Sequence, residues 1–154
     1  LEAAAKEWEG TPFCERSAVK GAGVSCHMLA FVVYRDAGWL PDMDIPMAPV
    51  GWSRAQNHSV MEEWLDRGEG RNWFERVAAL DAIEPGDLLG FRLGHCIHHL
   101  AVLLSGGRVV SSVENLGARI SPCLQPVWMK RMAGAWRPRL IGRDVEIFIA
   151  GNPS

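Results

Sequence analysis

A cysteine at the mouth of one predicted helix and a histidine at the head of one predicted strand are the residues of this sequence best suited to act on each other. Cys26 follows Ser25, which is placed to cap a helix running from about Cys26 to Ala37, with Gly38 as its C-terminal stop. The unpaired N–H groups of a first helical turn carry partial positive charge. They favour a thiolate there and can hold the oxyanion that forms when sulfur attacks a carbonyl. His99 opens the apolar run His99-Leu100-Ala101-Val102-Leu103-Leu104, where a core meets a cleft. A neutral imidazole at that place can take the thiol proton, as acyl transfer requires. Each residue alone has a plainer reading, because free cysteines are among the most buried side chains and a core histidine can be satisfied by backbone.

The neighbours His95, Cys96 and His98 are ligand types too, and strand alternation puts Cys96 and His98 on one face. Structural zinc sites show two tight paired clusters, whereas Cys14 and Cys123 are isolated. No metal site is therefore assigned, and a Cys–His pair needs no cofactor.

The elements that must position this chemistry change character halfway along the chain. Leu1–Trp8 reads as a helix ending at Gly10 and Pro12, Thr11–Gly23 as a loop, and Pro41–Val50 as irregular, with three prolines. In the helix after Ser25, Cys26, Leu29, Ala30, Val33 and Ala37 fall on one buried stripe. Two further helices are expected near Ser53–Arg67 and Trp73–Leu80, in a region crowded by Trp39, Trp52, Trp64 and Trp73 that reads as core or cleft wall. Strands follow at Asp87–Leu93, His98–Leu104, Arg108–Val113 and Ala133–Leu140, with Ser105-Gly106-Gly107 as a hairpin loop. Helices first and antiparallel strands second argue for an α+β domain with one main sheet.

Composition narrows the function classes. The 154 residues are 48% hydrophobic and 22% charged, enough to bury a core in one domain spanning residues 1–154, with a variable Trp-rich segment at about 39–80. A formal charge of -2 gives no global pointer to nucleic acid, and the basic cluster Lys130, Arg131, Arg137, Arg139 and Arg143 reads as a solvated face. Four sparse cysteines do not make a disulfide framework, so at least one thiol is free. No apolar run reaches membrane-spanning length, no signal peptide is visible, and the chain does not begin with Met.

Several short motifs, in order, resemble the NlpC-type cell-wall cysteine peptidases, in particular their compact form in tailed-phage and prophage gene sets. Trp8-Glu9-Gly10-Thr11-Pro12-Phe13 is similar to the family's Trp-x-Gly-Thr-Pro-Tyr, and Gly23-Val24-Ser25-Cys26-His27-Met28-Leu29 to Gly-x-Asp-Cys-Ser-Gly-Leu. Pro85-Gly86-Asp87-Leu88 matches Pro-Gly-Asp-Leu, and His99-Leu100-Ala101-Val102 resembles His-Val-Gly-Ile before a hairpin. Gly107-Arg108-Val109-Val110 and Gly134-Ala135-Trp136-Arg137-Pro138 continue the order.

The resemblance implies a papain-like fold, N-terminal helices packed on an antiparallel sheet, with Cys26 as nucleophile and His99 as base. The implied reaction is amide hydrolysis through an acyl-enzyme, on peptidoglycan stem peptides beside γ-D-glutamyl and a diamino acid. Such an enzyme acts on the cell wall, with peptidoglycan peptide as its partner, no nucleic acid and no membrane span. Phe13, Ser25 and His27 take the substrate-binding places, although the family has Tyr, Asp and Ser there. Those departures keep two alternatives open: a Cys–His amidase or acyltransferase on another substrate, and a cell-wall-binding module that has lost catalysis.

Twelve residues after His99, where the family places its third polar residue, stands Ser111. A three-residue loop Ser105–Gly107 sets Ser111 opposite Ala101, on the face of His99. A two-residue loop gives that face to Ser112 and Glu114 instead. Glu114 or a backbone carbonyl is the alternative to Ser111 as the group that orients the imidazole.

Overall fold

The computed structural model describes residues 1–47, 58–122 and 125–141. Trp52, Cys123 and Arg143 lie outside them, as does Ser53, the expected start of the second long helix. Helix α1 (Glu2–Trp8) leads through a loop holding a two-stranded ribbon, β1 (Ala18–Val19) and β2 (Gly23–Val24), into helix α2 (Cys26–Asp36). Ser25 caps α2, its hydroxyl oxygen accepting the Met28 N–H at 3.2 Å, and Gly38 ends the turn with φ 71°. The expected apolar stripe is present, but Phe31, Val32 and Tyr34 are buried as well. Helix α2 is thus enclosed on most sides, by α1 and by the sheet.

Helix α3 (Val60–Asp66) starts at Ser59, whose hydroxyl accepts the Glu62 N–H at 3.1 Å. The helix expected over Trp73–Leu80 is instead strand β3 (Phe74–Arg76) followed by a single 3-10 turn, Leu80–Ala82. Phe74 drops into the core against Phe31 and Tyr34, while the backbone pairs with a later strand, so tertiary pairing overrides a weak helical pattern.

The remaining strands are β4 (Leu88–Leu93), β5 (Cys96–Leu103), β6 (Arg108–Val113), β7 (Gly117–Pro122) and β8 (Met132–Pro138), with a short helix α4 (Pro126–Met129) before the last. Among the described residues they form one antiparallel six-stranded sheet, ordered β3-β8-β4-β5-β6-β7. Strand β7 was not anticipated from the sequence, where its short run Gly117–Pro122 holds a glycine, a proline, Arg119 and Ser121 beside two apolar residues, Ala118 and Ile120. The architecture is α+β, helices on an antiparallel sheet, as expected.

The two faces of the sheet bury different sets of residues. Leu100, Val102, Leu104 and Val110 join α1, α2 and α3 in the main core. Leu89, Phe91, Ala101, Leu103, Val109 and Ala135 make a smaller cluster on the other face, partly covered by Trp128 of α4. The pairs Val102↔Val110 and Leu103↔Val109 close the β5–β6 hairpin around a three-residue loop, Ser105–Gly107. Opposite β4, the pairing steps from Phe91↔His99 to Arg92↔Ile97. His98 is the extra residue of a β-bulge.

Candidate active site

The start of α2 is held in place from three directions. Ser112, fully buried on β6, donates its hydroxyl to the Val24 carbonyl at 2.8 Å, pinning the chain two residues before Cys26 to the sheet. Gly10 and Thr11 pair with Ala118 on β7, and a Cβ at Gly117 would sit 2.5 Å from the Thr11 carbonyl oxygen, so only glycine permits that approach. That docking carries the chain to Phe13, which bridges to Val24 beside the cleft.

The cleft, of about 90 Å³, is lined by Phe13, Ser25, Cys26, His27, Cys96 and His98, with Arg16 and His58 at its sides. Cys26 is 8% exposed, and its thiol donates to the main-chain carbonyl of His98 at 3.7 Å. His27 Nε2 lies 2.6 Å from the same oxygen. A carbonyl only accepts, so Nε2 carries the proton and His27 is the neutral Nε2–H tautomer. Burial pushes the His27 imidazole below its ordinary value, with the His98 carbonyl opposing in part. The His98 ring meets the His27 ring edge-on, with 5.4 Å between centroids. Cys96 is a second free thiol in this cleft; burial pushes it up, and the Glu62 carboxylate pushes it the same way.

Sequence reasoning placed Cys26, Phe13, Ser25 and His27 here, and the structure brings all four together. It does not bring His99 or Ser111. The His99 ring packs against Phe91 at 5.9 Å and Trp128 at 5.3 Å, on the sheet face turned away from α2. Ser111 shares that face and a separate cleft with His99, as the three-residue loop requires. The correction is one of side. His99 alternates with Ala101 and Leu103 on the far face, whereas His98, at the bulge, lines the cleft with Cys26, Cys96 and Ile97. The histidine that shares a cleft with Cys26 is therefore His98. The signal was in the sequence: Leu100, Val102 and Leu104 are the bulkier alternate set, and the helix-facing side needs bulk. Arg16, held at φ 59°, and His58 were also missed, because neither belongs to a periodic element.

Among the described residues no group of three or more His, Cys, Asp or Glu is arranged to hold a metal ion, and no helix is long and apolar enough to cross a membrane. A thiol in the first turn of a helix, sharing a cleft with a strand-borne histidine, is an arrangement that can support nucleophilic acyl chemistry.

No protein-family model matches the chain, and no curated protein matches it in sequence. Solved structures do match it. A lipoprotein-like NLP/P60 family protein from Staphylococcus aureus Mu50 superposes with a TM-score of 0.57 at 18% identity, over 88% of this chain but 39% of its own. The chain has the NlpC/P60 fold. The NlpC/p60 domain of the peptidoglycan hydrolase SagA matches with a TM-score of 0.53 at 18% identity, covering 87% of this chain and 92% of the domain. RipD from Mycobacterium tuberculosis, described as a non-catalytic NlpC/p60 domain protein adapted to peptidoglycan binding, matches with a TM-score of 0.53 at 15% identity, over 90% and 94%. This chain thus covers nine-tenths of the two isolated domains but only about two-fifths of the larger staphylococcal protein.

Proposed function

We propose that the chain is a cysteine hydrolase that cuts an amide bond in peptidoglycan stem peptide, with Cys26 as nucleophile and His98 as base. The observation that carries this reading is the shared cleft, where Cys26 at the first turn of α2 faces the bulged residue His98. In the reaction His98 takes the thiol proton and the sulfur attacks the scissile carbonyl carbon. The N–H groups of the first turn of α2 hold the oxyanion. His98 returns the proton to the leaving amine, leaving a thioester that water hydrolyses with His98 again as base. The Cys26 thiol now points at a carbonyl, so the imidazole must accept its proton once substrate closes the cleft; apo geometry of this kind commonly tightens on binding.

Glu114 is the third residue of this reading. Counted outward from Val102↔Val110, Ser112 falls opposite Leu100, and Glu114, one residue past the end of β6, would come next along that face toward His98. A carboxylate there orients the imidazole and stabilises its charged form better than Ser111, which faces the other way. Phe13 forms a wall of the substrate cleft. Arg16, with no carboxylate partner among the described residues, suits an acidic substrate group such as the α-carboxylate of a γ-linked glutamyl residue. The substrate class rests on the motif resemblance and on the fold shared with a peptidoglycan hydrolase. The site of action is then the cell wall.

The test is digestion of purified peptidoglycan followed by mass spectrometry of the released peptides. Wild type is expected to release γ-glutamyl-linked fragments and Cys26→Ala none. Release that survives Cys26→Ala ends the proposal. A second reading, a non-catalytic peptidoglycan binder, is favoured by the thiol's contact with a carbonyl rather than an imidazole. It predicts pull-down on cell walls with no product at any protein concentration.

A further inference from the structure

Behind the sheet, the residues displaced from the active cleft leave an anomaly of their own. His99 is 7% and Ser111 5% exposed, yet among the described residues neither has a hydrogen-bond partner. Buried imidazoles and hydroxyls are almost always paired in native structures, and an exception asks for an unseen partner. Both groups line one cleft of about 250 Å³, separate from the one that holds Cys26. Its walls are aromatic: Phe91, His99 and Trp128 form a ring cluster, with centroids 5.3 to 5.9 Å apart. At its rim Arg119 stands directly across from Ser111 in the β6–β7 pairing, on the same face. Arg119 has no carboxylate partner among the described residues. Gln125, at the start of α4, adds an amide.

An unpaired guanidinium, a buried hydroxyl and a buried imidazole converge beside a flat apolar wall. We propose that this back cleft binds a small carboxylate with an aromatic or similarly flat apolar body. The carboxylate takes the Arg119 guanidinium, with Ser111 donating to one oxygen, and the body lies on the Phe91–Trp128 wall. His99 supplies a ring N–H to the same oxygen or to a polar edge of the body. The volume accommodates a ligand of single-ring size, and a mostly apolar pocket with a few convergent polar groups is the usual form of a small-molecule site. This inference does not rest on the hydrolase reading, since none of its residues touches the Cys26 cleft.

The probe is phenylacetate, titrated into the full chain while the His99 Cε1–H signal is followed by NMR, assigned by its loss in His99→Gln. Saturable shifts of that signal are expected. Phenylacetamide, which keeps the ring and loses the charge, is expected to bind at least about tenfold more weakly, as is phenylacetate to Arg119→Gln, an exposed substitution that leaves the sheet intact. Ser111→Ala is expected to weaken phenylacetate in the same direction. Absence of a saturable shift, equal binding of the amide, or unchanged binding to Arg119→Gln would each overturn the proposal and leave a cleft occupied by water alone.

Discussion

The main-chain oxygen of His98 receives two donors at once, the Cys26 thiol and His27 Nε2. It ties the backbone of the bulged strand to the first turn of α2. Exchanging the two adjacent histidines is the sharpest test of which one serves Cys26. His98→Ala is expected to lower kcat/KM for peptide release about 10³-fold, whereas His99→Ala leaves turnover within a fewfold of wild type. The opposite ranking would return His99 to the active site. His27 gives a second, thermodynamic prediction. Its native value lies below the ordinary 6.5, so on acidification the unfolded chain takes up a proton that the native chain refuses. Stability is then whole above 6.5 and drains as the pH falls below it. The urea midpoint of wild type is expected to fall between about pH 7 and about pH 5, and that of His27→Gln to fall less. Glu2 and Asp36, held below their ordinary 4.5 and 3.8, act only at lower pH. Equal slopes in the two proteins would show that His27 titrates alike in both states. At this scale the sequence placed Cys26 correctly at a helix start lining a cleft, because a capped helix start is a local pattern. It set His99 rather than His98 beside Cys26, because the side a strand residue faces depends on what packs over it, and a tandem pair of histidines offers both answers.

At the scale of elements, α2 and the outer strands of the sheet form one positioning device. Ser25 closes the first turn, and Ser112 holds the preceding residue pair to β6. Ser112→Ala removes the shorter of two hydrogen bonds to the Val24 carbonyl, which keeps the Cys14 N–H at 3.2 Å, a loss of about 1 kcal/mol. The same change loosens the turn that aims Cys26, so iodoacetamide alkylation of Cys26 is expected to slow in step with turnover. A stability loss with unchanged alkylation and turnover would reduce Ser112 to a purely structural contact. The helices flanked by cap residues and the strands with clear alternation were legible from sequence: α1, α2, β4, β5, β6 and β8 appear within a few residues of their expected bounds. Strand β3 was not, because three residues cannot establish a period, and its identity comes from pairing with β8. The β-bulge was equally invisible, since it exists only in the register between two strands.

For the molecule as a whole, the motif Pro85-Gly86-Asp87 acts as a clasp between the layers rather than as part of the site. Tyr34, near the C-terminal end of α2, donates its hydroxyl to the Gly86 carbonyl at 2.8 Å, and burial pushes that phenol well above its ordinary 10.0. The Asp87 carboxylate, 1% exposed, accepts from Arg137 Nε at 3.0 Å and Nη2 at 2.9 Å, and from the Glu84 N–H at 2.9 Å. Arg137, counted from sequence as part of a solvated basic face, is therefore half of a fork that ties the turn before β4 to strand β8. Removing the guanidinium strands a buried carboxylate, which is worse than removing both charges. Arg137→Met is expected to lower unfolding free energy by about 2 kcal/mol in urea, discounted because the arginine itself is about a third exposed. Asp87→Asn alone also destabilises, and the double variant should lose less than the sum of the two, since the second change removes the charge that the first left unpaired. Additive losses would mean that the two side chains contribute independently and that the clasp depends on Tyr34 and the turn alone. Through either outcome alkylation of Cys26 in the folded state should stay unchanged, because the clasp meets α2 at Tyr34, near the end of the helix away from Cys26.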